Sequence, residues 1–158
     1  MCIRDRSLNG LIVKFWNVYG IEKDMEKAHV ITDFIRKGFE TGVIDMMSDG
    51  TEAREFLYAE DCCEALETIM GNYDGLTSDD ELHITTGSHT TILEIAEIIK
   101  RLFSNIGRDV VIQPAASKDE VQKDARNASD PYIQKFWKSK TSVKEGITKV
   151  FEEMKRSF

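Results

Sequence analysis

Apolar residues recur along the chain at two spacings, which predict strands alternating with helices. Residues 8–19 hold an almost unbroken apolar run with Leu11, Ile12, Val13 and Phe15. Such a run is typical of a strand buried on both faces. Because a natural domain rarely opens on its most buried strand, we expect further sequence in front of this one. Other short strands are predicted at residues 43–47, 54–58, 82–85 and 110–112.

Four further segments carry apolar residues at the spacing of an amphipathic helix. The first, beginning at Val30, is followed by Gly42 as a stop, and the second ends near Gly71. The other two helices open on capping boxes, which are Thr91 with Glu94 and Ser142 with Glu145. The order strand, helix, strand, strand, helix, strand, helix, strand, helix predicts an α/β protein. Residues 114–130 are polar and predict a loop.

Composition limits the classes of partner and compartment. The chain has 158 residues and a net charge of −7 with no basic cluster, which argues against nucleic-acid binding. No apolar run approaches the roughly 18 residues of a membrane span, and no apolar signal-peptide core is present. Cys2, Cys62 and Cys63 have no metal-site spacing, so Cys62 and Cys63 are interpreted as small helix residues. A reducing, cytoplasmic location is the expectation.

Few residue patterns suggest chemistry by themselves. Tyr19 and Lys23 have the Tyr-x-x-x-Lys spacing of a catalytic pair, but they follow a predicted strand and need not share a face. We interpret this spacing as a coincidence. Arg54 follows a turn at the mouth of a strand, where its guanidinium is suited to a phosphate. A surface ion pair with Glu55 or Asp61 is the alternative for Arg54.

Five segments in order resemble the extended short-chain dehydrogenase/reductase family, the NAD-dependent epimerases and dehydratases of the UDP-glucose 4-epimerase type. Residues 14–21 read Lys-Phe-Trp-Asn-Val-Tyr-Gly-Ile, where the family has Arg-x-Phe-Asn-Val-Tyr-Gly-Pro. Residues 48–61 read Ser-Asp-Gly-Thr-Glu-Ala-Arg-Glu-Phe-Leu-Tyr-Ala-Glu-Asp, where the family has Gly-Asp-Gly-x-x-x-Arg-Asp-Phe-x-Tyr-Val-x-Asp. The other segments are residues 30–35, 83–97 and 136–146.

The resemblance implies substrate-binding roles for six residues. Asn17 matches an asparagine that contacts the diphosphate or the sugar, and Arg54 matches the arginine that binds the nucleotide diphosphate. Val30 and Ile31 match a helix start that lies over the nucleotide. Met47 matches a position that packs on the base. In the family's Arg-Pro-Gly-Asp-Val loop, Lys118 is the only stand-in for the missing arginine.

The resemblance also implies an organisation for the chain. Residues 1–7 are expected to be a non-native leader, and residues 8–20 the last part of a Rossmann-type parallel sheet. Residues 21–158 are expected to form the small α/β substrate-binding region, with some elements packing back on that sheet. The glycine-rich turn and the helical Tyr-x-x-x-Lys of the family do not occur in this sequence.

The expected function is therefore the substrate-binding half of an NAD(P)-dependent nucleotide-sugar epimerase or dehydratase. The full-length enzyme would use NAD or NADP, bind a nucleotide-diphosphate sugar and form a homodimer, while this chain alone would bind no cofactor. No catalytic residue is assigned within the chain. The alternatives are a non-catalytic nucleotide-sugar binding module and an interaction domain derived from the same fold.

Overall fold

The computed structural model of the protein describes residues 10–22, 24, 28–76, 82–118 and 129–158. Within these ranges short strands alternate with helices, which confirms the predicted α/β class. The strands are β1 (Val13–Phe15), β2 (Val18–Tyr19), β3 (Val43–Asp45), β4 (Ala53–Glu55), β5 (Leu57–Tyr58), β6 (Leu82–Ile84), β7 (His89–Thr91) and β8 (Val111–Gln113). The helices are α1 (Val30–Glu40), α2 (Ala59–Gly71), α3 (Ile92–Asn105) and α4 (Val143–Lys155), with 3-10 turns at Tyr73–Gly75 and Pro131–Lys135.

The described strands pair two by two, and most of these pairs are parallel. β1 pairs with β6, β2 with β5 and β3 with β8 in parallel, whereas β4 runs antiparallel to β7. The parallel pairs join distant parts of the chain, with Val13 opposite Leu82 and Val43 opposite Val111. Parallel neighbours need long crossover connections. Three of the four helices that the apolar spacing predicted, α1, α2 and α3, lie within these connections, and α4 follows β8.

The prediction of one strand over residues 8–19, buried on both faces, is wrong in the described part of that segment. The chain forms two short strands, and Asn17 lies between them with a left-handed backbone (φ 32°). Ile12 and Phe15 are 48% and 50% exposed. Among the described strands β1 has only β6 as a neighbour, so one side of the apolar run stays uncovered. Residues 8 and 9, like the expected leader, lie outside the described residues.

Two smaller differences from the predicted elements arise from strand pairing between distant segments. The strand predicted over residues 54–58 is divided into β4 and β5 by Phe56, and each part pairs with a different partner. Strand β7 was not predicted, because its residues are His89, Thr90 and Thr91, which show no apolar alternation. These residues form a strand because they pair in antiparallel orientation with β4. Tertiary pairing therefore overrides local composition at this point.

Both predicted capping boxes are confirmed. Thr91 Oγ1 accepts a hydrogen bond from the Glu94 backbone N–H (3.1 Å), and the Glu94 carboxylate accepts one from the Thr91 N–H (2.7 Å). Ser142 and Glu145 make the same reciprocal pair at 3.3 and 2.9 Å. These bonds satisfy backbone donors that a helix N-terminus leaves open. None of the helices in the described ranges is long and apolar enough to cross a bilayer.

The larger hydrophobic core lies between α1, α3 and α4. Its centre is an aromatic cluster in which the Phe103 ring lies 4.7 Å from that of Phe39 and 4.9 Å from that of Phe151. Gly38 in α1 makes room for Phe103, because a Cβ at this glycine would lie 2.2 Å from the Phe103 ring. The aromatic packing therefore requires a residue without a side chain in the middle of α1.

A second core lies under α2 and is closed by the segment that leads into α4. Cys62 and Cys63, interpreted as helix residues, lie in α2 with free thiols. The core residues are Leu57, Cys62, Ala65, Ile69, Leu76, Leu82, Ile84, Ile133 and Trp137.

Asp61 joins α2 to the chain that precedes α4. It is 5% exposed, and its carboxylate accepts hydrogen bonds from Ser139 Oγ (2.6 Å), the Lys140 N–H (3.0 Å) and the Thr141 N–H (2.8 Å). Burial by itself raises the pKa of Asp61, but these hydrogen bonds outweigh it and the pKa lies below its usual value. Asp61 is therefore a charged anchor between the two parts of the fold.

Replacing Gly38 tests the aromatic packing. Gly38→Ala should lower the free energy of unfolding by about 1–3 kcal/mol through overpacking, although alanine is the better helix former by roughly 1 kcal/mol. Gly71→Ala is the matched control, since a Cβ at Gly71 meets no atom within 4 Å. Urea denaturation of the variants measures both effects. Equal stability of Gly38→Ala and Gly71→Ala would contradict this description of the core.

The Asp61 anchor predicts a dependence of stability on pH. Asp61→Asn presents an amide NH₂ to backbone donors and should lower the free energy of unfolding by about 1.5–3 kcal/mol at pH 7. The pKa of Asp61 is lowered on folding. The wild-type advantage should therefore be complete above the unfolded pKa of about 3.9 and should shrink as the pH falls through the folded pKa. Urea titrations from pH 7 to pH 2 test this, with the exposed Asp74→Asn as control. A difference that stays constant with pH would refute it.

Candidate functional site

One cleft is lined by all six residues to which the family motifs assign substrate-binding roles. It has a volume of about 740 Å³ and lies between the turn after β1, the start of α1, the end of β3 and strand β4. Its lining includes Asn17, Val30, Ile31, Met47, Arg54 and Lys118. These residues come from five separate segments, the fifth being the segment after β8 that carries Lys118, so the fold brings together side chains up to about a hundred positions apart in the sequence.

Asn17 takes its position in the cleft from an unusual backbone. Its φ of 32° is the only positive value at a non-glycine residue in the described ranges, and asparagine tolerates this conformation better than most residues. Its side-chain Nδ2 donates to the Glu55 carbonyl oxygen (2.8 Å), and its own carbonyl accepts from the Leu57 N–H (3.2 Å). Asn17 therefore interrupts the first strand and is held at the wall of the cleft.

The start of α1 forms the second wall of the cleft. Ile31 is buried at 1% exposure, while Val30 is half-buried. The backbone N–H of His29, the cap residue, donates to the Glu22 carboxylate (2.9 Å), and the His29 ring also contacts this carboxylate. Burial by itself raises the pKa of Glu22, but the hydrogen bonds from His29 have the opposite and larger combined effect. The pKa of Glu22 therefore lies below its usual value. A carboxylate at this end of a helix complements the helix dipole.

Strand β4 presents its alternate residues to opposite sides. Arg54 lines the cleft, whereas Glu55 is buried at 1% exposure on the other side. The Glu55 carboxylate accepts from Ser129 Oγ (2.6 Å) and from the Gly87 N–H (3.1 Å). The Asp61 carboxylate is held by the segment before α4. Both acids therefore have other hydrogen-bond partners, and Arg54 lines the cleft.

The turn between β3 and β4 forms the outer rim of the cleft. Met47 stands at this rim and is 94% exposed. Ser48, where the family has glycine, is only 7% exposed, and its hydroxyl donates to Glu52 Oε1 (2.6 Å). Gly50 has a φ of 76°, a left-handed value that favours glycine. The turn therefore exposes Met47 and at the same time directs Glu52 along the cleft wall.

Lys118 lies at the same rim, because backbone hydrogen bonds join the segment after β8 to the turn after β3. The Asp49 N–H donates to the Ser117 carbonyl oxygen (2.8 Å), and the Ala115 N–H donates to the Ser48 carbonyl oxygen (3.0 Å). Lys118 lines the cleft beside this junction. Its position is therefore set by the turn after β3, although the two segments are far apart in the sequence.

The motifs did not indicate four further charged residues of the cleft, which are Asp33, Lys37, Asp45 and Glu52. Lys37 Nζ lies 2.9 Å from Asp33 Oδ2 and 3.1 Å from Asp45 Oδ1. Burial lowers the pKa of Lys37, but these acids outweigh it and raise the pKa above its usual value. Asp33 and Lys37 follow Val30 by about one and two helical turns. This spacing was a signal that they share a face with the helix start.

Tyr19 has no features of a catalytic base. It is 5% exposed, and its hydroxyl donates to the Val143 carbonyl oxygen (3.3 Å). Burial, with a smaller contribution from Tyr58 and nearby acids, raises the pKa of Tyr19 far above its usual value. A buried neutral phenol cannot accept a proton from a substrate near neutral pH. Lys23, its partner in the Tyr-x-x-x-Lys spacing, lies outside the described residues.

Comparison with known proteins connects this cleft to one family. Residues 2–87 match the NAD dependent epimerase/dehydratase family. The chain is 30% identical over 143 residues to GDP-L-fucose synthase of Sinorhizobium fredii, covering 86% of this chain and 44% of that protein. It is 29% identical over 149 residues to a putative UDP-glucose 4-epimerase of Methanocaldococcus jannaschii, covering 92% of this chain and 46% of that protein. The chain thus spans less than half the length of these relatives.

Solved structures show the same fold. An epimerase from Methanothermobacter thermautotrophicus superposes with a TM-score of 0.73 at 19% identity, covering 92% of this chain and 43% of that one. UDP-glucose 4-epimerase of Thermotoga maritima, solved with UDP-glucose, gives a TM-score of 0.68 at 22% identity, covering 93% of this chain and 46% of that one. The parallel strand pairs match the Rossmann-like extended short-chain dehydrogenase/reductase fold. This chain therefore belongs to the NAD-dependent epimerase/dehydratase family.

Proposed function

We propose that this chain supplies the nucleotide-sugar binding part of an NAD(P)-dependent epimerase or dehydratase. The observation that carries the proposal is the single cleft lined by Asn17, Val30, Ile31, Met47, Arg54 and Lys118. In the family motifs these positions contact a nucleotide-diphosphate sugar. Relatives of the chain are named as acting on GDP-, UDP- and dTDP-linked sugars, which supports the same substrate class.

Each wall of the cleft suits one part of such a ligand. The guanidinium of Arg54 would bind the diphosphate through charge-assisted hydrogen bonds, with Lys118 as a second positive charge. Ile31 and Val30 offer an apolar surface at the helix start, and the exposed Met47 offers a polarisable thioether at the rim. These apolar groups would cover the flat faces of a nucleobase. The amide of Asn17, at the other end, would contact the diphosphate or the sugar.

We propose that the reaction and its cofactor require protein groups other than those of this chain. NAD(P), when bound, supplies hydride transfer at a sugar hydroxyl. The sequence has no glycine-rich turn of the type that holds a dinucleotide pyrophosphate, and the only Tyr-x-x-x-Lys spacing starts at the buried Tyr19. The residues present therefore do not fit the cofactor. The role of this chain would be to bind and orient the sugar nucleotide.

The strand pairing supports the expected division of the chain. β1 and β2 fall within residues 8–20, the proposed end of a Rossmann-type sheet. Each pairs in parallel with a strand from later in the chain, β6 or β5. Elements of the proposed substrate-binding region, residues 21–158, would then pack back on that sheet. We further propose that the full-length enzyme is a homodimer, as the family resemblance implies, and that it is cytoplasmic, as the cysteine usage suggests.

Replacing Arg54 tests the proposed function. Arg54→Ala should weaken binding of GDP- or UDP-sugars by about tenfold or more, because a hydrogen bond to a charged group contributes roughly 1.5–3 kcal/mol. Isothermal titration calorimetry on this chain measures the dissociation constants. Arg156→Ala is the control, since Arg156 is exposed just after the end of α4 and its replacement removes the same charge away from the cleft. Equal dissociation constants for wild type and Arg54→Ala would overturn the diphosphate assignment.

A further inference from the structure

Glu52 lies in the wall of the cleft but belongs to none of the roles proposed above. It lines the cleft two residues before Arg54. The Ile92 N–H donates to its carbonyl oxygen (3.2 Å), which fixes the backbone at this point. Residues two apart along an extended chain face the same side, roughly 7 Å from each other. Glu52 therefore lines the same wall of the cleft as Arg54, next to the turn that carries Met47 and Ser48.

One oxygen of this carboxylate is held in place by Ser48. The Ser48 hydroxyl donates to Glu52 Oε1 (2.6 Å) and accepts from the Gly50 N–H (3.2 Å). A hydroxyl has a single proton, and in the bond with Gly50 the proton comes from the Gly50 N–H. The Ser48 proton is therefore available for the bond to Glu52. Ser48 is itself buried. Glu52 Oε1 is thus engaged by Ser48, and this bond orients the carboxylate toward the turn.

The second oxygen of Glu52 is buried but accepts no hydrogen bond from the described residues. Burying a carboxylate oxygen without a donor is unfavourable, and protein interiors rarely keep one in that state. The cleft is the open space that Glu52 lines. A ligand that brings a hydrogen-bond donor to Glu52 Oε2, with a small rotation of the carboxylate, would remove this cost.

The position of Glu52 selects which part of a sugar nucleotide supplies the donor. A phosphate group is excluded, because it is anionic and offers only acceptors. The hexose is disfavoured, because Asn17, proposed to contact the diphosphate or the sugar, bonds the Glu55 carbonyl oxygen, whereas Ser48 bonds Glu52 on the other side of Arg54 in the sequence. Next to the diphosphate on the rim side comes the nucleoside, whose donors are the ribose hydroxyls and the N–H groups of the base.

We propose that Glu52 is a specificity-determining residue that accepts a hydrogen bond from a nucleoside donor, a ribose hydroxyl or a base N–H. This inference rests on the proposed nucleotide-sugar function. Ser48 positions Glu52 for the task. Ser48 stands where the family motif has glycine, and its hydroxyl makes a 2.6 Å hydrogen bond to Glu52, which occupies a variable position of that motif.

Glu52→Gln gives a sharp test, because Ser48 would still donate to the amide oxygen and the amide NH₂ would then face the ligand donor. The dissociation constant for GDP should rise by about tenfold or more. Glu67→Gln is the matched control, an identical substitution at an exposed residue of α2, and should leave binding unchanged. Thermal melts confirm that both variants are folded. Calorimetry with this chain provides the dissociation constants.

Analogues that each lack one donor identify the source of the hydrogen bond. If the donor is a ribose hydroxyl, 2′-deoxy-GDP or 3′-deoxy-GDP should bind wild type about tenfold more weakly than GDP does, and Glu52→Gln should bind that analogue and GDP alike. If the donor is the base amino group, inosine diphosphate should show this behaviour instead. A base amino donor also predicts that wild type prefers GDP over UDP, because uracil has no amino group, and that Glu52→Gln loses the preference.

The outcomes separate this inference from the proposed function. If Arg54→Ala weakens GDP binding but Glu52→Gln binds every nucleotide as wild type does, the role of Glu52 is wrong and the proposed function stands. If wild type binds no nucleoside diphosphate, both are overturned. If Glu52→Gln and Glu67→Gln lose GDP affinity equally, the effect is due to the change in net charge. This result would also overturn the role of Glu52.

Discussion

The register of strand β4 against β7 is the constraint on which the cleft depends. Arg54 lies opposite Thr90, and Glu55 lies opposite His89. A shift of the register by one residue would exchange the two faces of the strand. Arg54 would then be buried, and Glu55 would enter the cleft. The hydrogen bonds of the buried Glu55 carboxylate with Ser129 and Gly87 hold the register that keeps the positive charge in the cleft.

The same strand also connects the two ends of the site. The carbonyl oxygen of Glu55 accepts the side-chain hydrogen bond of Asn17, so the left-handed residue after β1 is fixed against β4. At the other end, Ser48 in the preceding turn holds Glu52. Asn17, Arg54 and Glu52 thus share one backbone support. Groups positioned in this way need little reorganisation when a ligand binds, which is the condition for selective recognition.

The sequence was a good guide wherever local periodicity and short motifs decide the structure. The helical spacing after Val30 and the two capping boxes predicted elements that the fold contains. The prediction failed for the apolar run at Ile12 and Phe15, because burial depends on neighbours that the run itself does not specify. Strand β7 has no local signal and exists through its pairing with β4.

The same distinction holds for the cleft. Family motifs pointed to Arg54 and Asn17, because these residues stand at recognisable spacings. They could not indicate Lys37 or Glu52, whose importance arises from contacts between segments. Lys37 meets Asp45 across the connection from α1 to β3, and Glu52 meets Ser48 across a turn. Such contacts depend on side-chain directions that only the folded chain defines.

The central claim is that this one cleft binds the nucleoside diphosphate of a sugar nucleotide. It is tested most directly by an NMR titration of the isotope-labelled chain with a GDP- or UDP-sugar, following backbone amides and arginine side-chain Nε–H groups. The account predicts saturable shifts that concentrate at Asn17, Val30, Ile31 and Arg54, with little change along α2 and α4. Shifts that concentrate on α2 or α4, or the absence of any saturable shift, would contradict it.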